Sequence, residues 1–162
     1  MVIASVARDL AILIARVGVG VVFVAHGWQK FATFGVRGTA ASFDQLGVPL
    51  PTVSAWFATL VELLGGVALI LGLGVPVVGL LVFVDMVGAY LLVHARHGIF
   101  VQERGGELVI ALGAAVLLLA VVGAGRFSLD HLVFSRRRRG DRSAGPDDRV
   151  TEPNPDSPPT VR

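Results

Sequence analysis

Arg16, Glu62 and Asp85 each stand near the middle of a long apolar run, where a charge is out of place. Facing lipid at that depth would cost at least about 2.5–3.5 kcal/mol, so each side chain must turn toward protein and find a partner. One arginine neutralises one carboxylate. The acid left over must be protonated, or held by water, a cation or a ligand, and a carboxyl in that condition can exchange protons with a bound redox molecule. The competing reading is structural: an Arg16–Glu62 ion pair fixes helix register, and Asp85 is a hydrogen-bonding core residue.

A second polar set, His26, Lys30, His94, His97 and Glu107, falls at the ends of the same runs. Together these residues can line an outer-rim pocket for a polar head group such as a quinone ring, with histidine as hydrogen-bond donor and proton acceptor. Read blandly, the histidines and Trp28 are interfacial anchors, and Glu107 stabilises the start of its helix.

The elements that must position these groups are membrane helices. Of the 162 residues, 54% are hydrophobic, more than a soluble domain of this size can bury. Four apolar segments, at about residues 10–28, 53–74, 75–94 and 106–122, each approach the length that spans ~30 Å of hydrocarbon. The first is read as a retained span rather than a signal peptide, because Arg16 interrupts it and no small-residue cleavage pattern closes it. Arg136–Arg139 and Arg142 follow the last span, which predicts cytoplasmic termini and outward loops at 31–52 and 95–105. Short links make neighbouring helices antiparallel. The expected fold is all-α, an integral membrane antiparallel four-helix bundle over residues 1–134. Residues 135–162, basic and proline-rich with little to bury, are expected to be a disordered cytoplasmic tail that adheres to anionic lipid. Nothing around its arginines could read bases, so nucleic acid is not an expected partner.

Counted from the outer boundary, Arg16 lies about eleven residues deep and the two acids about nine, so all three are expected ~13–17 Å below it and able to meet. On ideal helices Gly20, Gly27 and Lys30 share the face of Arg16, Glu62 shares its face with Gly66 and Leu69, and Asp85 lies with Ala89 and Leu92. Polar groups and close-packing residues thus occupy one interior seam.

Several chemistries are disfavoured. The chain has no cysteine, so it forms no disulfide and relays no electrons through its own thiols. No metal site is expected. Bis-histidine haem ligation by His26 and His94 is disfavoured, because His94 points away from Asp85 on an ideal helix and no span carries a buried histidine pair. Gly18-x-Gly20 follows no strand and turn, so it is not a dinucleotide fingerprint.

The residues that resemble a known family are spread along the chain. Arg16, Gly20, Phe23, His26-Gly27, Lys30-Phe31, Gly47-x-Pro49, Glu62, Gly65-Gly66, Leu69-x-x-Gly72, Met86, Ala89, His94, Gly98-x-Phe100, Gly106-Glu107 and Ser128-Leu129-Asp130 together resemble the DoxX family of small bacterial membrane proteins. The likeness runs from about residue 8 to residue 131. It implies a four-helix protein of the bacterial inner membrane, associated with quinone-linked oxidoreductase complexes and with thiol or oxidative stress. The polar signature carried over comprises Arg16, His26, Lys30, Glu62 and Glu107. Asp85 is added from its depth alone. Gly123-Ala124-Gly125 stands where many relatives have Gly-Pro-Gly.

Two functions of different kinds follow as expectations. One is a redox subunit that binds a quinone-like molecule, with Glu62 or Asp85 exchanging its protons. The other is a non-catalytic scaffold whose polar seam is structural and which recruits soluble redox enzymes. A small transporter is the weaker third, since four spans leave little room for alternating access unless the protein forms a homo-oligomer.

Overall fold

The computed structural model describes residues 2–132, which are helical with no strand among them. The expected tail, 135–162, lies outside the described residues. Helix α1 runs Val2–Trp28 and passes without a break into a π-helical turn, Gln29–Thr33. A shorter helix, α2, Gly35–Gln45, precedes α3, Pro51–Leu71. Helix α4, Val75–Ala89, also ends in a π turn, Tyr90–His94, and a loop with one 3-10 turn leads to α5, Glu107–Val122.

Three of these units are long and apolar enough to cross a membrane: Ile3–Thr33, Pro51–Leu71 and Val75–His94. Glu107–Val122 is as apolar but shorter. Leu64, Val77, Leu118 and Val121 are among the many large apolar side chains left exposed, which water would penalise and lipid does not. This is a membrane protein.

The first span is longer at both ends than the apolar run suggests, and 31–52 is not simply a loop. Val36, Ala40 and Phe43 recur at helical spacing in α2 and turn inward, with Thr39 buried between them. The Thr39 hydroxyl donates to the carbonyls of Gly35 and Lys30, which ties α2 to the π turn.

Helix α1 packs mainly on α3, and α4 packs mainly on α5. Glycine permits the closest approach. A Cβ at Gly66 would stand 2.7 Å from both the Gly20 carbonyl oxygen and the Val24 nitrogen, and one at Gly27 would strike the backbone of Leu63. At Gly79 a Cβ would meet the Val116 carbonyl oxygen at 2.9 Å. The core between these contacts is Phe23, Leu69, Val75, Val82, Met86, Val116 and Leu119.

Candidate functional site

The contacts between α1 and α3 set the register of their charges. With Gly27 against Leu63 and Gly20 against Gly66 and Ile70, Lys30 comes level with Glu62, and Arg16 falls opposite Gly72. Lys30 Nζ accordingly lies 2.5 Å from Glu62 Oε2, with the two side chains only 19% and 6% exposed. The expected meeting of Arg16 with the acids does not occur. Counting from Trp28 omits the π turn, which carries the helix on to Thr33, and a helical side chain leans toward its own N-terminus, which draws the guanidinium further from Glu62.

Arg16 is 1% exposed, and its partners are backbone carbonyls. Its guanidinium donates to the oxygens of Ala124 and Phe127, beyond the end of α5, with a longer contact of 3.5 Å to Ile70. Gly72 ends α3 with φ +72°, where glycine is the residue without strain, and a Cβ there would collide with the Arg16 guanidinium. Asp130 Oδ2 accepts from the Gly74 N–H at 2.8 Å, and the Asp130 N–H donates to the Gly72 oxygen. The Ser128 hydroxyl donates to the Gly125 oxygen. Ser128 and Asp130 therefore lock the α3–α4 turn and the segment after α5 around Arg16. Sequence reasoning missed Asp9, which is 2% exposed and lies 4.0 Å from Arg126 Nε and 3.9 Å from Arg8. The available signal was an acid immediately before the first apolar run and an arginine, Arg126, shortly after the last, which an even number of spans brings to the same side.

At the other end the helices enclose a cavity of about 670 Å³. Phe23, Phe57, Met86, Leu108 and Leu112 give its wall an apolar character, and His26, Lys30, Glu62, Asp85 and His94 bring ionisable groups into it. With His97, six of the eight residues singled out from sequence thus share one cavity. Arg16 and Glu107 are not on its wall. Glu107 Oε1 instead accepts the Val101 N–H at 2.9 Å, holding the loop that closes the cavity at Val101, Arg104 and Gly105. Phe43, Leu46 and Val48, from α2 and its exit, line it as well.

Both π turns flank this cavity. Each is closed by a bond from residue i+5 back to i, Phe34 N–H to the Gln29 oxygen and Ala95 N–H to the Tyr90 oxygen. Such turns are rare and occur frequently at functional sites. One holds Lys30, the other His94. His94 Nδ1 is 2.7 Å from the Arg104 carbonyl oxygen, a geometry that requires Nδ1 to carry the proton and leaves Nε2 as the acceptor in the neutral ring. Arg104 itself has φ +64°, a left-handed conformation that costs a non-glycine residue roughly 1–2 kcal/mol.

Asp85 is 9% exposed, and its Oδ2 has no hydrogen-bond partner among the described residues. Of the two carboxyls on the wall, Glu62 alone has a cation bonded to it. Among the described residues, no three of His, Cys, Asp and Glu are grouped as a metal ion would require.

These features define a small multi-span membrane protein with a largely apolar cavity between its helices that carries a few ionisable groups. Its sequence matches the DoxX family over residues 11–95, and the chain belongs to that family. It is 31% identical to "Putative oxidoreductase CatD" of Bacillus subtilis over 84% of this chain and 96% of that protein. It is 28% identical to "Inner membrane protein YphA" of Escherichia coli, over 76% of this chain and 91% of the relative. "Uncharacterized membrane protein Rv3486" of Mycobacterium tuberculosis is also 28% identical, over 78% and 83% of the two chains. No solved structure matches it significantly.

Proposed function

We propose that this chain is a redox-associated subunit of the bacterial inner membrane whose cavity binds a quinone-type molecule. The observation that carries this reading is the placement of Lys30, Glu62, Asp85, His26 and His94 on the wall of one largely apolar cavity. Its volume lies within the range typical of small-molecule sites, and packing alone would not call for ions there. The names of two relatives, "Putative oxidoreductase CatD" and "Inner membrane protein YphA", agree with it.

The residues fit such a ligand. The apolar wall suits a ring and its lipid tail, while His26, Lys30 and His94 offer donors and acceptors to ring oxygens. A bound quinone would supply two-electron, two-proton carrier chemistry. Lys30 holds Glu62 in place, Glu62 and Asp85 take up or release protons, and the loop braced by Glu107 limits water. Arg16 has a positioning role, because its two Nη groups already serve the carbonyls of Ala124 and Phe127 and it is not on the cavity wall.

In this reading the four apolar helices form an antiparallel bundle, which accords with the contacts of Gly20 and Gly27 on α3 and with the short turn between α3 and α4. The arginine cluster after α5 supports cytoplasmic termini in this reading. The scaffold reading draws support from Arg16, since one buried charge has a structural use. In that case soluble redox enzymes dock on the tail or the outer loops.

The test is mass spectrometry of small molecules retained by the protein purified in mild detergent, for wild type and a folded Glu62→Gln variant. A quinone carried by the first and depleted in the second is the expected result. A wild type purified empty from quinone-replete membranes overturns the redox reading in favour of the scaffold.

A further inference from the structure

Among Lys30, Glu62 and Asp85 on the cavity wall, hydrogen-bond acceptors outnumber donors. Lys30 brings three N–H groups and already gives one to Glu62 Oε2, whereas two carboxyls bring four oxygens with about two acceptor sites each. Asp85 is the member without a bond: its Oδ2 is buried with no partner among the described residues. The two carboxylate oxygens exchange by a half-turn about χ2, so either one can be presented to the cavity that Asp85 lines. Such a group costs stability unless a donor reaches it.

Two kinds of ligand bring donors. A cationic head could pair with Asp85 but would lose its water in a largely apolar cavity that Arg104 also lines. A neutral ring bearing hydroxyls carries no such desolvation cost and suits the apolar remainder of the wall.

Resting on the quinone-type reading above, we infer that Asp85 accepts a hydrogen bond from a ring hydroxyl, so that the cavity selects the reduced, hydroxyl-bearing form of the ligand over its oxidised form. The oxidised ring has only carbonyl acceptors, and set against ionised Asp85 it leaves both without a donor, so the selection belongs to the ionised form of that carboxyl. Asp85 is then a specificity determinant that the fold holds unpaired for the ligand, with Lys30–Glu62 beside it as an already satisfied pair.

The experiment measures binding of three probes to the full chain in mild detergent under anaerobic conditions: a decyl-tailed benzoquinone, its hydroquinone, and the dimethyl ether of that hydroquinone. Because the chain has no cysteine, the reductant that maintains the hydroquinone does not alter the protein through thiols. The hydroquinone is expected to bind about tenfold more tightly than either of the others, the scale of one satisfied acceptor. In Asp85→Leu that preference disappears while the quinone still binds, and the variant melts no lower than wild type, because an unpartnered buried carboxyl has been removed. Equal binding of the three probes by wild type, or tighter binding of the quinone, overturns the inference and leaves the quinone-type reading standing. No binding of any probe overturns both. A lower melting temperature in both Asp85→Leu and Asp85→Asn would show Asp85 to be a structural residue and would equally overturn the assignment.

Discussion

Lys30 Nζ and Glu62 Oε2 are 2.5 Å apart across the contact between the π turn that continues α1 and helix α3. Their proximity follows from register: Gly27 lies against Leu63, and one further turn of α1 carries Lys30 past it to the level of Glu62. The pair shares the cavity wall with Asp85, so its charge state bears on anything bound there.

Breaking this pair on one side should cost more than removing it altogether. Lys30→Met leaves a buried carboxyl without its cation and should destabilise the protein by about 2–4 kcal/mol, whereas Lys30→Met combined with Glu62→Leu should recover much of that loss. Thermal unfolding of the four proteins in one detergent, followed by helical circular dichroism, measures the coupling. Additive losses would mean that the two groups do not stabilise one another.

The clasp around Arg16 makes a separate prediction. Arg16→Lys should not rescue the fold, because an ammonium cannot reproduce the guanidinium fork that reaches Ala124 and Phe127 together. Both Arg16→Lys and Arg16→Gln should lose about 2–4 kcal/mol and become sensitive to proteolysis between 123 and 132, while hydroquinone affinity in the folded fraction stays close to wild type. A selective loss of ligand affinity with normal stability would instead move Arg16 into the binding site.

Glycine contacts allow a graded test of packing. Gly66→Ala forces a methyl to 2.7 Å from the Gly20 oxygen and should cost about 1–3 kcal/mol, whereas Gly18→Ala and Gly88→Ala place theirs with nothing within 4 Å and should be close to neutral. Melting temperatures of the three variants, compared in one preparation, check the ranking.

The three long apolar spans were legible in the sequence because each is a run of about twenty residues or more, a pattern that lipid imposes and that little else produces. The cavity set was legible in part. His26, Lys30, Glu62, Asp85 and His94 stood out because each interrupts or ends such a run, and the structure gathers them. Their pairing was not legible. It depends on the offset between α1 and α3 and on a π turn that extends α1 by five residues, and neither leaves a periodic signature. Arg16 shows the same limit from the other side. Sequence shows that a buried arginine needs acceptors, and the nearest charges suggest themselves, but carbonyls freed at a helix end satisfy it equally well and have no residue type. Asp9 and α2 were missed because the apolar run starts after one and the other lies in what reads as a loop.

Glu107 tests whether the loop is a lid support. Its carboxylate accepts the Val101 N–H from six residues away, and its own N–H donates to the Ile99 oxygen, so it braces the segment that supplies Val101, Arg104 and Gly105 to the cavity wall. Glu107→Ala should accelerate hydrogen exchange at the Val101 amide by about fivefold or more, the scale of one lost net hydrogen bond, with little change in the melting temperature. Glu107→Gln keeps an acceptor oxygen and should exchange nearly as slowly as wild type. Since the loop covers the cavity, the alanine variant should also release a bound probe faster, while the glutamine variant does not. Unchanged exchange at Val101 in the alanine variant would show that the loop is held by its other bonds, Gly106 N–H to the Gly98 oxygen among them, and that Glu107 has no part in closing the cavity.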